Sequence, residues 1–268
     1  GVSALKGGTY AIIPDQIEAG TYLAAVAAAA LLMLLSFLRD TVRSGKEARE
    51  KLDCGYLGEI PHENKYKTLF ARLRRKKTSI LITNPTTSFR FVETVRKLRR
   101  RVEQHMDKGK VLMVTSVLEN EGKSTVSANL ALAMAKKYSK VLLLDLDLHK
   151  PACRKIMDQE SPQYWTHDVI SGKAALSDAV KTDKLSRMDV LMAKHCAPQE
   201  ADELIHSKGL PAMLEEARKH YDFVIIDLPP MAIVPDPEAV MEFADGSLLV
   251  IRQNRVSVTD LNRAIGDL

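Results

Sequence analysis

The chain is poor in cysteine and in aromatic residues, which make up only 5% of its 268 residues. Its cysteines, Cys54, Cys153 and Cys196, are scattered and form no Cys-x-x-Cys pair. Neither a disulfide framework nor a zinc site is therefore indicated, and a reducing compartment is expected. With 46% hydrophobic residues, 13 glycines and 11 prolines, the composition excludes a disordered or collagen-like chain. The length fits one or two domains.

Basic residues are in excess in only one part of the chain. Residues 65–110 hold fifteen basic and three acidic residues, whereas residues 1–64 are net −2 and residues 111–268 are net −5. A nucleic-acid-binding domain would spread positive charge over its folded surface. No nucleic-acid partner is therefore expected.

Residues 19–38 contain no charged side chain. Twenty helical residues span about 30 Å, the hydrocarbon thickness of a bilayer, so the segment predicts one transmembrane helix. The alternative is an alanine-rich helix buried in a soluble domain. Because basic residues such as Arg39 and Arg43 follow the segment, the C-terminal part is expected in the cytoplasm. Residues 1–18 are then an extracytoplasmic remnant, and the protein is expected in the inner or plasma membrane.

Residues 39–87 are predicted to be a basic juxtamembrane linker. The stretch from Lys65 to Lys77 carries seven basic residues, which can rest on anionic membrane lipid or form a solvated linker. A helix is predicted next, over Phe89–His105, because apolar residues recur there at helical spacing.

From Lys110 onward, short aliphatic runs alternate with helical stretches. Strands are predicted at Val111–Thr115, Val141–Asp145, Val190–Met192, Phe223–Asp227 and Ser247–Ile251. Helices are predicted around 124–137, 200–219 and 237–243. This alternation predicts an α/β fold over residues 88–268, with a parallel sheet that helices cover on both faces. Ligands of such sheets bind outside the carboxyl ends of the strands.

The first predicted strand runs into Gly122-Lys123-Ser124-Thr125, the end of a phosphate-binding loop, although Val117 stands where the common pattern has its first glycine. Backbone N–H groups at a helix N-terminus bind phosphate. Lys123 is expected to reach the β- and γ-phosphates, and the Ser124 hydroxyl to bind magnesium. The candidate nucleotide-binding residues are Glu119, Asn120, Glu121, Gly122, Lys123, Ser124 and Thr125.

Three aspartates follow apolar strands. Asp145 and Asp147 end the second predicted strand, and Asp227 ends the fourth. Each alone is readily explained as a helix cap or turn former, but carboxylates at strand ends converge on the phosphate loop and can hold Mg²⁺. Together they predict a magnesium-nucleotide site.

These motifs together resemble the bacterial tyrosine kinases, P-loop enzymes that regulate capsular and exopolysaccharide synthesis, and the resemblance covers residues 17–268. It implies an ATP- and Mg²⁺-dependent protein-tyrosine (auto)kinase. It also implies that Lys123, Asp145 and Asp147 are catalytic, with Asp145 as the base. Asp147 and Asp227 would hold magnesium together with Ser124. The sequence does not separate the roles of Asp145 and Asp147.

The resemblance further implies partners. Glu93, Arg96 and Arg99 match a Glu-x-x-Arg-x-x-Arg helix that packs subunits of the family into a ring, although such charges also suit a solvated helix face. The predicted membrane helix and the stretch 57–61 look like the end of a chain-length-determinant domain. Other copies of the chain, tyrosine-bearing protein substrates, membrane lipid and the machinery of polysaccharide polymerisation and export are the expected partners.

The chain departs from the family pattern at several positions. His149 stands where an arginine is common, and Glu119-Asn120 replaces Pro-Gly. The family's tyrosine-rich tail is absent, since Tyr221 is the last tyrosine. The chain stops at Leu268 inside a predicted helix, so a C-terminally truncated kinase domain is expected.

Other classes share parts of this pattern. Partition and division-site ATPases carry an extra lysine where this chain has Leu118, and relatives with an iron–sulfur cluster need cysteines that 111–268 does not place suitably. A different alternative is a polysaccharide copolymerase scaffold, in which the nucleotide site governs only ring assembly. ATP binding and tyrosine transfer use the same visible residues, so the sequence leaves this alternative open.

Overall fold

The computed structural model describes residues 16–38, 40–63 and 79–268. The chain divides into two compact units, Gly1–Asp40 and Thr41–Leu268. The basic stretch from Lys65 to Lys77 lies outside the described residues, as do residues 1–15.

The first unit contains one helix, α1 (Gln16–Leu38), among its described residues. Large apolar side chains are exposed along it, for example Leu23 at 71% and Met33 at 73%. Over the described ranges, no helix has both the length and the hydropathy that a membrane crossing requires.

The second unit alternates strands and helices in chain order. Its helices are α2 (Gly45–Lys51), α3 (Phe89–Met106), α4 (Lys123–Met134), α5 (Cys153–Ile156), α6 (Thr166–Ile170), α7 (Leu176–Ala179), α8 (Pro198–Ile205), α9 (Gly209–His220), α10 (Asp236–Met241) and α11 (Val258–Gly266). Its strands are β1 (Val111–Ser116), β2 (Val141–Asp145), β3 (Lys181–Thr182), β4 (Asp189–Leu191), β5 (Phe223–Asp227) and β6 (Gly246–Val250).

The six strands form one sheet in the order β3-β4-β2-β5-β1-β6. Only β3 runs antiparallel to its neighbour β4, and the other pairs are parallel. Central strands β1, β2 and β5 are buried along their whole length, as expected when helices cover both faces. Separate apolar clusters lie on the two faces, one including Val95 of α3 and Leu130 of α4, the other Leu210 and Leu214 of α9. The predicted α/β sheet is confirmed.

Strand β3 and the helix expected over 200–219 differ from the sequence prediction. Strand β3 was not predicted, because its two residues are exposed and polar and carry no apolar signal. The helix expected over 200–219 is two helices, α8 and α9, since the chain leaves helical geometry between Ile205 and Gly209.

Residues of the predicted linker form part of the second unit, which begins at Thr41 rather than at residue 88. Val42 and Ala48 are buried in an apolar cluster that also contains Val117 of the phosphate loop. Thr41 pairs with Ser257 in an isolated β-bridge. Apolar burial and backbone hydrogen bonds therefore both attach this charged segment to the sheet domain.

Candidate active site

The loop between β1 and α4 is shaped by one glycine. Gly122 has φ +100°, in the left-handed region that glycine adopts without strain. This conformation starts α4 at Lys123. Gly122 has no side chain that could cap the helix, so the first N–H groups of α4 remain available to an anion.

Glu121 ties this loop to the end of β6. Its Oε2 accepts a hydrogen bond from the Leu118 backbone N–H at 2.8 Å, and its Oε1 accepts one from the Arg252 N–H at 3.2 Å. Burial raises the pKa of the Glu121 carboxyl, although these backbone donors oppose the shift. The predicted nucleotide-binding residue Glu121 is thus a bracing residue of the loop.

The remaining loop residues lie around it. Glu119 forms an exposed ion pair with Lys150, Oε1 to Nζ, at 2.6 Å. Asn120 has φ +62°, which asparagine tolerates better than most residues. Thr125 is half-buried in the first turn of α4. Val117, in place of the common first glycine, is buried in the apolar cluster with Val42.

Lys123 lies among the three predicted aspartates. Its Nζ is 2.6 Å from Asp147 Oδ2 and 3.8 Å from Asp227 Oδ2, and it donates to Ser124 Oγ at 3.3 Å. Burial alone lowers the pKa of Lys123, but the attraction of Asp227 and Asp147 outweighs it and raises the pKa overall. The ammonium is therefore held charged at the carboxyl edge of the sheet.

Asp145 and Asp227 are direct neighbours because β2 and β5 pair in parallel register with these residues opposite each other. Both are fully buried. Burial, together with the Asp227 charge, raises the pKa of Asp145 to about 7. Burial also raises the pKa of Asp227, against the pull of Lys123. Two adjacent buried carboxylates resist ionising together, so Asp145 is suited to accept a proton.

The donor set fits magnesium. Ser124, Asp147 and Asp227 offer hydroxyl and carboxylate oxygens, which are the ligands that Mg²⁺ prefers. Asp147 Oδ1 accepts a hydrogen bond from the Lys150 N–H at 2.8 Å, and Asp227 Oδ1 accepts one from Ser127 Oγ at 2.9 Å. Both carboxylates are thus oriented by neighbours.

Three positioning residues escaped the sequence analysis. Cys153 donates its backbone N–H to Asp145 Oδ2 at 3.0 Å, and its Sγ is 3.6 Å from Asp227 Oδ2. Thr166 Oγ1 donates to the Asp145 carbonyl at 2.9 Å. Ser127 lies one helical turn after Lys123 and was open to prediction from that spacing. Cys153 and Thr166 belong to later segments that no motif connects to the strand end.

His149, in place of the common arginine, faces a carboxylate. Its Nε2 is 3.2 Å from Asp236 Oδ2, and Asp236 is only 3% exposed. Burial raises the pKa of Asp236, while His149 opposes the shift.

Of the ring-motif residues on α3, Arg96 is exposed, whereas Glu93 and Arg99 are half-buried. The same helix buries four apolar residues. Glu93 pairs with Arg96, and Arg99 lies 3.7 Å from Glu103. The predicted helix is confirmed and extends one residue further, to Met106.

Comparison with known proteins places this geometry in a family. Residues 110–265 match the model of the AAA domain. The chain is 35% identical over 184 residues to the tyrosine-protein kinase YwqD of Bacillus subtilis, covering 68% of this chain and 76% of that protein. It is 30% identical to the succinoglycan biosynthesis transport protein ExoP of Rhizobium meliloti, covering 69% of this chain but only 23% of that protein.

The fold also matches a solved structure. The kinase domain of the Escherichia coli tyrosine kinase ETK superposes with a TM-score of 0.72 at 27% identity, covering 84% of this chain and 88% of that one. The phosphate loop and strand-end aspartates thus occur in a fold and sequence shared with named tyrosine kinases. The chain belongs to the bacterial tyrosine-protein kinases, the P-loop family of capsule and exopolysaccharide biosynthesis.

Proposed function

We propose that this chain transfers the γ-phosphoryl group of ATP to tyrosine hydroxyls, its own or those of protein substrates, and thereby regulates polysaccharide polymerisation and export. The observation that carries the proposal is the position of Lys123, between Asp147 at 2.6 Å and Asp227 at 3.8 Å. A cation and oxygen ligands at one strand edge are what phosphoryl transfer requires.

The residues of the site have separate roles in this reaction. The N-terminal N–H groups of α4 and the Lys123 ammonium bind the phosphates and offset the charge of the transferring group. Mg²⁺, held by Ser124, Asp147 and Asp227, neutralises further phosphate charge when bound. Asp145 accepts the proton of the tyrosine hydroxyl while the tyrosine oxygen bonds to the γ-phosphorus and the bond to ADP breaks. The raised pKa of Asp145 matches this role as proton acceptor.

Asp145→Asn tests this assignment. The asparagine keeps the side-chain shape but accepts no proton, so phosphotyrosine formation should fall by about 100-fold or more, whereas ATP binding should persist. Asp158→Asn, at an exposed residue with φ +51°, is the matched control and should retain activity. Equal rates of phosphotyrosine formation for Asp145→Asn and the control would show that Asp145 is not the proton acceptor.

Ring assembly is the second part of the proposal. On α3, Arg96 is exposed and Glu93 and Arg99 are partly exposed, so a second copy can reach all three side chains. Glu93→Ala with Arg96→Ala should reduce the oligomer seen by light scattering. Lys97→Ala, another exposed α3 residue, is the control. If the Glu93 and Arg96 variant loses the oligomer but no condition yields phosphotyrosine, the chain is a copolymerase scaffold and not a kinase.

The proposed location is the inner or plasma membrane, with the sheet domain in the cytoplasm. The support is the uncharged sequence of residues 19–38, which are proposed to form the transmembrane end of a chain-length-determinant domain. Membrane fractionation of cells that express the chain should recover it in the carbonate-resistant pellet. Deletion of residues 16–38 should release it, and release of the undeleted chain by carbonate would contradict the proposal.

A further inference from the structure

A cleft of about 540 Å³ lies at the carboxyl ends of β2 and β4. Its walls come from the segment after β2 and from the segment after β4, with Trp165 completing the lining. This volume is within the roughly 300–1,000 Å³ of typical ligand pockets. The cleft is therefore large enough for one or two side chains of a bound peptide.

Positive charge dominates the lining. The basic side chains among the lining residues are His149, Lys150, Arg154, Lys155, Lys194 and His195. No aspartate or glutamate is among the lining residues in the described part of the chain. Lys150 is paired with Glu119, whereas Arg154, Lys155 and Lys194 lie within 4.0 Å of no carboxylate of the described ranges. These three cations remain available to an anionic ligand.

The cleft adjoins the reacting groups. The backbone of its first wall is hydrogen-bonded to two catalytic aspartates, through the N–H of Lys150 to Asp147 and the N–H of Cys153 to Asp145. On the second wall, His195 Nδ1 lies 2.7 Å from the His149 carbonyl oxygen. Peptide residues seated in this cleft therefore lie within a few residues of chain from the groups that hold Asp145 and Asp147.

We propose that the cleft binds the peptide flanking the acceptor tyrosine and selects carboxylate or phosphate groups beside that tyrosine. This inference rests on the proposed kinase function and adds a substrate preference to it. Arg154, Lys155 and Lys194 supply the charge, and Arg154 can bind either anion in bidentate fashion. A phosphotyrosine formed at one position then promotes phosphorylation of a neighbouring tyrosine.

Single-acceptor peptides test the preference. Four peptides carry one acceptor tyrosine and differ only in the residues around it, which are glutamate, phosphotyrosine, glutamine or lysine. The full chain in detergent, with ATP and magnesium, should phosphorylate the glutamate and phosphotyrosine peptides with kcat/KM about tenfold above the glutamine peptide, since several weak ion pairs add. The lysine peptide should be slowest. Equal kcat/KM for all four peptides overturns the proposal.

Variants of the cleft test whether its cations cause the preference for the glutamate peptide. Lys155→Gln with Lys194→Gln removes two exposed cations of the cleft and should bring the glutamate-to-glutamine ratio of kcat/KM close to one. The control, Lys173→Gln with Lys219→Gln, removes two exposed cations outside the lining and should keep the ratio. If the cleft variant leaves the glutamate-to-glutamine ratio of kcat/KM unchanged, the preference does not come from the cleft and the inference is overturned.

A binding measurement separates this inference from the kinase proposal. Trp165 is the only tryptophan of the chain, so its fluorescence reports on the cleft. Peptides with phenylalanine at the acceptor position should change this fluorescence, with Kd about tenfold lower for the glutamate peptide than for the glutamine peptide. If the peptides show this difference in Kd but none is phosphorylated, the peptide preference of the cleft is supported and the proposed kinase activity is contradicted. If the peptides are phosphorylated but bind with equal Kd, the kinase activity is supported and the peptide preference of the cleft is contradicted.

Discussion

Lys123 Nζ and Asp147 Oδ2 form a buried ion pair at 2.6 Å, in which the phosphate-binding lysine contacts an aspartate expected to hold magnesium. The pair joins the start of α4 to the segment after β2. Because a phosphate oxygen and the Asp147 carboxylate both attract the same ammonium, nucleotide binding is expected to weaken this contact. Asp147 would then be free to hold magnesium, which would supply positive charge in place of the ammonium.

Replacing the lysine should affect stability as well as binding. Lys123→Met leaves three buried carboxylates without their cation, which should lower the free energy of unfolding by about 3 kcal/mol at pH 8. The loss should be smaller at pH 5, because burial raises the pKa of Asp145 and of Asp227 and so favours their neutral forms as the pH falls. Urea denaturation at both pH values measures it. The exposed Lys136→Met should change stability by less than about 0.5 kcal/mol, and a pH-independent loss would argue against the carboxylates as its cause.

Asp145 should make the metal-free protein less stable as the pH rises. Its folded pKa of about 7 exceeds the ordinary value, so its contribution is complete below about pH 4 and is lost as the pH rises through 7. The loss attributable to this group is at most about 4 kcal/mol. Denaturation in EDTA between pH 4 and 8 should show it, and Asp145→Asn should flatten the curve relative to Asp158→Asn. A wild-type curve that rises over this range would contradict the buried neutral carboxyl.

Glu121 should matter for nucleotide affinity through the loop it braces. Glu121→Ala leaves the N–H groups of Leu118 and Arg252 without their acceptor, at a cost of about 1–3 kcal/mol, and should raise the Kd for ATP about tenfold or more. Glu121→Gln keeps one side-chain acceptor, so it should lose less affinity for ATP than Glu121→Ala. Calorimetric titration with ATP and magnesium measures both, with Glu59→Ala as an exposed control. If Glu121→Ala binds ATP like the control, the brace does not organise the loop.

Asn129 should hold residues 80–82 against α4. Its Oδ1 accepts from the Ile82 N–H at 2.7 Å, and its Nδ2 donates to the carbonyls of Ile80 and Thr125 at 2.7 and 2.8 Å. Asn129→Leu removes all three contacts in a buried site and should cost about 3 kcal/mol. Asn129→Asp keeps the acceptor for Ile82 but sets its second carboxylate oxygen against the two carbonyl oxygens, so it should also be less stable than wild type. Thermal unfolding ranks the three proteins, and equal midpoints would show that the contacts contribute nothing.

The sequence was most informative where chemistry and periodicity coincide. The strands carrying Asp145 and Asp227 were placed correctly because each is a short aliphatic run that ends in an aspartate. Parallel pairing then follows from the alternation with helices, and it accounts for the two aspartates lying opposite each other.

Contacts between distant segments lay beyond sequence reasoning. Nothing local to Cys153 indicates that its N–H is bonded to Asp145, and nothing in the charged stretch around Ala48 indicates that it packs in one cluster with Val117. Both contacts depend on how the loops fold back over the sheet, which neither apolar spacing nor a motif encodes.

Magnesium-dependent phosphotyrosine formation that requires Lys123 is the decisive measurement for the proposed kinase activity. The wild-type chain, Lys123→Met and Lys136→Met are incubated with ATP, magnesium and a tyrosine-bearing peptide, and phosphotyrosine is mapped by mass spectrometry. We expect phosphotyrosine with wild type and Lys136→Met, none without magnesium, and at least about 100-fold less with Lys123→Met. A wild-type chain that binds ATP and magnesium yet forms no phosphotyrosine on itself or on any peptide would contradict the proposed kinase activity.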